Sequence, residues 1–181
     1  ENKIKAQSIN DFYVCSLSTQ TIVYKGMFLA EQLSEFYPDL LDNEFTSKFA
    51  IYHQRYSTNT FPTWSLAQPF RVLAHNGEIN TLKGNINWMS AHEPRITHPF
   101  FNERINDLKP ILDPDASDSA SLDAAFELFV QTDRDMPMAK SMIIPESWSN
   151  RSDLSDQLKA MYAYCNAVIE PWDGPAAVCG N

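Results

Sequence analysis

The spacing of hydrophobic and polar residues changes several times along this chain, and each change predicts an element. Phe12-Tyr13-Val14-Cys15-Ser16-Leu17 and Thr21-Ile22-Val23-Tyr24 are rich in β-branched and aromatic residues and flank the polar Ser18-Thr19-Gln20, which predicts a hairpin closed by Gly26. Leu29, Leu33, Phe36 and Leu40 then recur at i, i+4, i+7 and i+11, a helical face that Pro38 must end before its last member. Phe49-Ala50-Ile51-Tyr52-His53 reads as a strand, and residues 57–69 as an irregular segment. Phe70-Arg71-Val72-Leu73-Ala74-His75 reads as another strand, stopped by the turn signal Asn76-Gly77.

Beyond the turn, Leu82, Ile86 and Met89 predict a short helix ending before Pro94. Residues 94–117 hold four prolines and mixed polarity, which reads as an extended surface loop. Ser117-Asp118-Ser119 is a capping signal for a helix with Leu122, Ala125, Phe126, Phe129 and Val130 on its apolar face. Leu154, Leu158, Met161, Tyr162 and Cys165 form the face of a last helix, and Ala176-Ala177-Val178 begins a strand. The order β-β-α-β-β-α-α-α implies a mixed α/β or α+β domain.

Composition narrows the function. At 181 residues and 44% hydrophobic, the chain can bury a core without metals or disulfides. Its net charge of −9 argues against a nucleic-acid or anionic-membrane partner, both of which reward clustered Lys and Arg. No run approaches the ~18 apolar residues of a membrane helix, and the opening Glu1-Asn2-Lys3-Ile4-Lys5 lacks the layout of a signal peptide. Cys15, Cys165 and Cys179 are too few and too far apart for a disulfide framework or zinc knuckle, so a cytoplasmic location is the simplest expectation. Five glycines, against about 13 at average usage, suggest that each sits where the backbone needs it.

Candidate chemistry gathers at three places. His53, His75, His92 and His98 show no metal-ligand spacing, and no phosphate-binding glycine pattern exists. In His53-Gln54-Arg55-Tyr56-Ser57-Thr58-Asn59, Arg55 could grip a carboxylate through its bidentate fork. At His75-Asn76-Gly77, a side-chain amide and a glycine N–H could converge on one oxygen, as an oxyanion hole requires. Asp118, at a helix start, could receive an ammonium group. Together these would recognise an α-amino acid and stabilise a tetrahedral intermediate at its side chain. Each also has a structural reading: an ion pair for Arg55, a hairpin turn for Asn76-Gly77, and a helix cap for Ser117-Asp118-Ser119.

The ordered set resembles the class II glutamine amidotransferases, N-terminal-nucleophile hydrolases. It comprises residues 52–60, Ala67-Gln68-Pro69-Phe70, Ala74-His75-Asn76-Gly77-Glu78-Ile79-Asn80 and Ser117-Asp118-Ser119. Phe61-Pro62-Thr63-Trp64, residues 113–123 and Glu170-Pro171-Trp172-Asp173-Gly174-Pro175-Ala176-Ala177 resemble the amidotransferase domain of glutamate synthase large subunits, and the likeness covers residues 12–177. The resemblance implies an α+β fold, a four-layer αββα sandwich. It implies that Arg55 binds the glutamine α-carboxylate, with Thr58 and Gln68 lining the same pocket. Asp118 would take the α-ammonium, and Asn76 and Gly77 would form the oxyanion hole. It also implies glutamine hydrolysis to glutamate and ammonia, with ammonia passed to 2-oxoglutarate at a flavin site. FMN and an iron–sulfur cluster would then be held by other domains of a longer chain, and none by this one.

Two features depart from that pattern. Tyr56 and Asn59-Thr60 replace a tryptophan and His-Gly of some relatives. The family's nucleophile is an N-terminal cysteine, whereas residue 1 here is Glu. Residues 1–181 are therefore expected to be an internal part of the amidotransferase domain, lacking the nucleophile strand and the closing strands. Open sheet edges would favour a homodimer, and the location would be the cytoplasm, or the plastid stroma for a photosynthetic eukaryote. A non-catalytic glutamine-binding or interaction module and another class II amidotransferase, such as the phosphoribosyl-transferring one, are the alternatives.

Overall fold

The computed structural model describes residues 1–9, 12–55 and 61–181. Its helices are α1 (Asn2–Lys5), α2 (Leu33–Phe36), α3 (Lys83–His92), α4 (Asp118–Gln131), α5 (Met136–Ile143) and α6 (Asp156–Val168). Its strands are β1 (Leu73–Gly77) and β2 (Ala176–Gly180), which pair with each other. The chain divides into two compact units, one of Glu1–Phe12 and Gly77–Ala176, the other of Tyr13–Asn76 and Ala177–Asn181. Helix and sheet are thus mixed, and among the described residues no helix is long and apolar enough to cross a membrane.

The first unit is built on α4, α5 and α6, with α5 packed against both neighbours. Each helix starts on a side-chain cap. Ser117 Oγ accepts from the Ala120 N–H, Asp135 from the Met138 N–H and Ser155 from the Leu158 N–H. Each cap satisfies a donor that the first helical turn leaves without a partner. Leu122, Ala125, Phe126, Ala139, Ile143, Tyr162 and Cys165 are buried, and they include half of the apolar residues expected to face the core from α4 and α6. Near the N-terminus, Asn2 Nδ2 donates to Lys109 O at 3.2 Å, while Lys3 and Lys5 pair with Asp107 at 2.9 Å and Asp113 at 2.7 Å.

In the second unit Ala67, Phe70, Leu73 and Ala74 form the apolar core, and Lys25 is buried with them. Lys25 Nζ donates to Ser65 O at 2.7 Å and lies 4.6 Å and 4.9 Å from the Tyr13 and Phe70 ring centroids. Arg71 Nε donates to Val14 O at 2.8 Å, its guanidinium 4.6 Å from the same tyrosine ring. These two cations tie the segment before β1 to residues 13–25.

Several expectations are corrected. Residues 12–24 form no hairpin ladder; Ser18 Oγ instead accepts from the Gln20 and Thr21 N–H groups and closes a local turn. A hairpin without a third strand gains too little to hold. Residues 49–53 are irregular, and the later strand starts at Leu73, not Phe70. The segment 94–117 is no extended surface loop, because it folds into 3₁₀ turns at Glu93–Arg95 and Asn102–Leu108 and buries Leu112. Helices α1 and α5 were not expected. The helix predicted before Pro38 does end at Phe36, the later α3, α4 and α6 form, and the strand expected at Ala176 is β2.

Candidate functional site

The β1–β2 register sets the chemistry at the end of β1. The Asn181 N–H donates to Val72 O at 3.0 Å, the Glu78 N–H to Pro175 O at 3.4 Å and the Asn80 N–H to Asp173 O at 2.8 Å. Partner numbers fall from 181 to 173 as the first strand's rise from 72 to 80, so the pair is antiparallel. Antiparallel residues alternate between hydrogen-bonded and non-hydrogen-bonded positions. Residues 72, 78 and 80 hold the bonded positions, which puts His75 and Gly77 in the alternate class, with their N–H groups on the edge of β1 away from β2. The bond of His75 fits this assignment, since its N–H donates at 2.6 Å to Gln68 Oε1.

β1 is buried over Leu73, Ala74 and His75 and emerges at Asn76 and Gly77, which are exposed. The Asn76-Gly77 pair therefore makes no two-residue hairpin turn but closes the strand. Gly77 has φ +105°, a conformation that L side chains rarely adopt, and a Cβ there would run into Pro175 O and stand 2.9 Å from Ala176 Cα. A glycine is required at this crossing. An exposed amide and a glycine N–H from adjacent residues can together donate to one anionic oxygen.

The remaining expected residues belong to other elements of the chain. Gln68, half-buried, spends its Oε1 on the His75 N–H and is thereby fixed one residue from Asn76. Arg55 is exposed on an irregular segment, its backbone N–H donating to His53 Nδ1 at 3.2 Å. Thr58, with Tyr56 and Asn59-Thr60, falls outside the described residues. Asp118 is the first residue of α4, capped by Ser117, and belongs to the first unit. Its Oδ1 accepts from the Ser119 N–H at 2.5 Å and from Ser119 Oγ at 2.9 Å. The structural reading of Ser117 as a cap is therefore correct, and Asp118 sits beside the cap with its charge favoured by the helix dipole.

Thiols and metal ligands complete the inventory. Cys165 is buried in α6, and burial pushes its thiol up from the ordinary value; Cys15 is half-buried and Cys179 exposed on β2. Among the described residues no group of three His, Cys, Asp or Glu side chains is arranged to hold a metal ion. Sequence reasoning missed Lys25 and Arg71, which support β1, since nothing in their neighbourhood distinguishes them from surface cations.

Comparison with known proteins decides the family. The model of the class II glutamine amidotransferases matches residues 1–180. The chain belongs to that family. Its relatives include the NADPH glutamate synthase large chain of Azospirillum brasilense, 61% identical over 98% of this chain. The corresponding protein of Bacillus subtilis is 52% identical over 93%, and the ferredoxin-dependent glutamate synthase of Pyropia yezoensis 50% identical over 93%. The chain spans 12% of the length of the first and 11% of the other two. The family match from residue 1 to residue 180 thus extends beyond the segments 52–64, 67–70, 74–80, 113–123 and 170–177 that carried the resemblance, and the relatives named here are glutamate synthases.

Proposed function

We propose that this chain is the glutamine-binding and oxyanion-stabilising part of the glutaminase portion of a glutamate synthase. The observation that carries the reading is the exposed Asn76-Gly77 end of β1, with the Gly77 N–H on the edge away from β2. Arg55 binds the α-carboxylate of glutamine and Asp118, through the oxygen its Ser119 bonds do not use, the α-ammonium. Thr58 and the Nε2 of Gln68 line the pocket. A thiolate attacks the side-chain amide carbon, and the C–N π-conjugated carbonyl oxygen becomes an anion that Asn76 Nδ2 and the Gly77 N–H stabilise. The intermediate collapses with protonation of the nitrogen, releasing ammonia, and water then cleaves the thioester to glutamate. The thiolate is none of Cys15, Cys165 and Cys179, because none of the three carries its own α-amine, and burial holds the Cys165 thiol in its neutral, poorly nucleophilic form.

The wider reading follows the family. The chain is part of a domain with a four-layer αββα sandwich, and its glutamine-derived ammonia goes to 2-oxoglutarate in the cytoplasm or a plastid; three of the relatives are named chloroplastic. FMN and an iron–sulfur cluster serve that second reaction from other parts of the longer protein, and no residue of this chain is assigned to them. Expressed alone, the chain associates with a second copy through strand edges.

In a full-length glutamate synthase carrying this sequence, Asp118→Asn and Arg55→Lys raise the KM for glutamine roughly tenfold or more and change kcat little, since both groups hold parts of glutamine that do not react. Glutamate formation from added ammonia is unaffected. A fall in kcat at unchanged KM, or an equal loss of the ammonia-dependent reaction, contradicts the assignment.

A further inference from the structure

Residues 170–174 form a strap held from several directions within the first unit. Asn85, on α3 and fully buried, donates from Nδ2 to Glu170 O at 2.9 Å and to Pro171 O at 3.2 Å. Its Oδ1 has no partner among the described residues, so these two donations are what orient the amide. Gly84, in the first turn of the same helix, leaves room for the Glu170 carboxylate, which a Cβ would strike. The Trp172 N–H donates to Ile143 O, the last residue of α5, at 2.8 Å, and the Trp172 ring is buried. The Asp173 N–H donates to Thr81 Oγ1 at 3.2 Å, and Asp173 Oδ1 accepts from the Gly174 N–H at 2.8 Å.

The strap runs directly into the strand that touches Gly77. Gly174 has φ +150° and passes so close to the other strand that a Cβ would run into Glu78 O and stand 2.9 Å from Ile79 Cα. Gly77 makes the reciprocal approach to Pro175 and Ala176. Two glycines thus interlock the backbones at 77–78 and 174–176. Neither can shift without moving the other, because each occupies the space that a side chain would need. A displacement of the strap is therefore transmitted to the peptide whose N–H belongs to Gly77.

We infer that residues 170–174, anchored by Asn85 and interlocked at Gly174, are a positioning element for glutamine turnover. They fix the direction of the Gly77 N–H without touching substrate. The inference rests on the proposed role of that N–H as an oxyanion donor. A donor misplaced by about 1 Å loses its hold on the transition state while ground-state binding of glutamine, made by other groups, persists.

The test is steady-state kinetics of a full-length glutamate synthase carrying this sequence, with variants Asn85→Ser, Gly174→Ala and Asn76→Ala. Asn85→Ser replaces the buried amide with a shorter hydroxyl and removes the Nδ2 that bonds Glu170 O and Pro171 O, and Gly174→Ala forces the crossing apart. Both are expected to lower kcat with glutamine roughly 10- to 100-fold while the KM for glutamine stays within about threefold, and to leave ammonia-dependent glutamate formation intact. Where Asn85→Ser does not yield folded protein, Gly174→Ala, which adds one methyl where residues 174–176 cross 77–78, decides the matter. Unchanged kcat in Gly174→Ala, alongside a loss in Asn76→Ala, overturns the strap and leaves the oxyanion reading standing. Unchanged kcat in Asn76→Ala overturns the oxyanion reading itself.

Discussion

Asp118 shows how one position can suit a helix end and, in the proposed reading, also recognise glutamine. Its position beside the Ser117 cap makes its charge agreeable to α4, and its Oδ1 is held by Ser119. Only the type of each residue was readable from sequence; that Gln68 would bond the His75 backbone depends on a contact between non-neighbouring segments that no local pattern encodes. Cys165 and Cys179 differ by environment alone. Cys179, exposed, is expected to react with a thiol reagent in the native state, whereas Cys165 reacts only on unfolding, as mass spectrometry of alkylated protein would resolve. Rapid native labelling of Cys165 would contradict its burial. Leu122, with 1% exposure, is a core anchor of α4, and Leu122→Ala is expected to cost about 2–5 kcal/mol in denaturant unfolding. A cost under about 1 kcal/mol would show that the site collapses around the deletion or is not packed as described.

At the scale of elements, α4 and α6 were legible from a cap and an apolar face and β1 and β2 from their strand-forming runs, whereas the strands expected at 12–24 and 49–53 do not form. Ser117 in front of Leu122 and Phe126 marked α4, and Leu158, Tyr162 and Cys165 marked α6. The segment 12–24 has strand-like residues, but pairing depends on partners that the local sequence does not specify. Helix α5 carried a signal that went unread, Asp135 two residues before Pro137, an N-cap followed by a proline of the first turn. Asp135→Ala is expected to destabilise by about 0.5–2 kcal/mol, and because Ile143 at the far end of α5 receives the Trp172 N–H, hydrogen exchange at Trp172 should quicken as well. Helix α1 is expected to respond to pH. The ammonium groups of Lys3 and Lys5, as hydrogen-bond donors, hold the Asp107 and Asp113 carboxyls below the ordinary carboxylate range. A lowered folded-state pKa gives stabilisation that is full above the unfolded value of about 3.9 and is lost as pH falls through the lower, folded one. Amide protection of residues 2–5 should therefore persist at neutral pH and fade in acid below about pH 4. Loss of protection on raising the pH from 4 to 7 would contradict the pairing.

The molecule as a whole leaves much of its apolar surface uncovered. Leu17, Tyr52 and Phe61 are 93%, 79% and 88% exposed, all in the second unit, which has the smaller buried core. Exposed apolar area on this scale favours association, so the chain expressed alone is expected to scatter light as a dimer or larger species, and a monomer at high concentration would count against that. The fold's mixed helix and sheet character was legible from the order of elements. The division into two compact units was not, because the boundary at 76/77 falls within β1 and that at 176/177 within β2, with no linker-like stretch to mark either. The central claim is that Asn76 and Gly77 hold the developing charge on the glutamine amide oxygen. Its most direct test is kcat for glutamine in a full-length glutamate synthase carrying this sequence with Asn76→Ala. The account predicts a fall of roughly 10²–10³ with little change in KM and with ammonia-dependent glutamate formation preserved; an unaltered kcat for glutamine would contradict it.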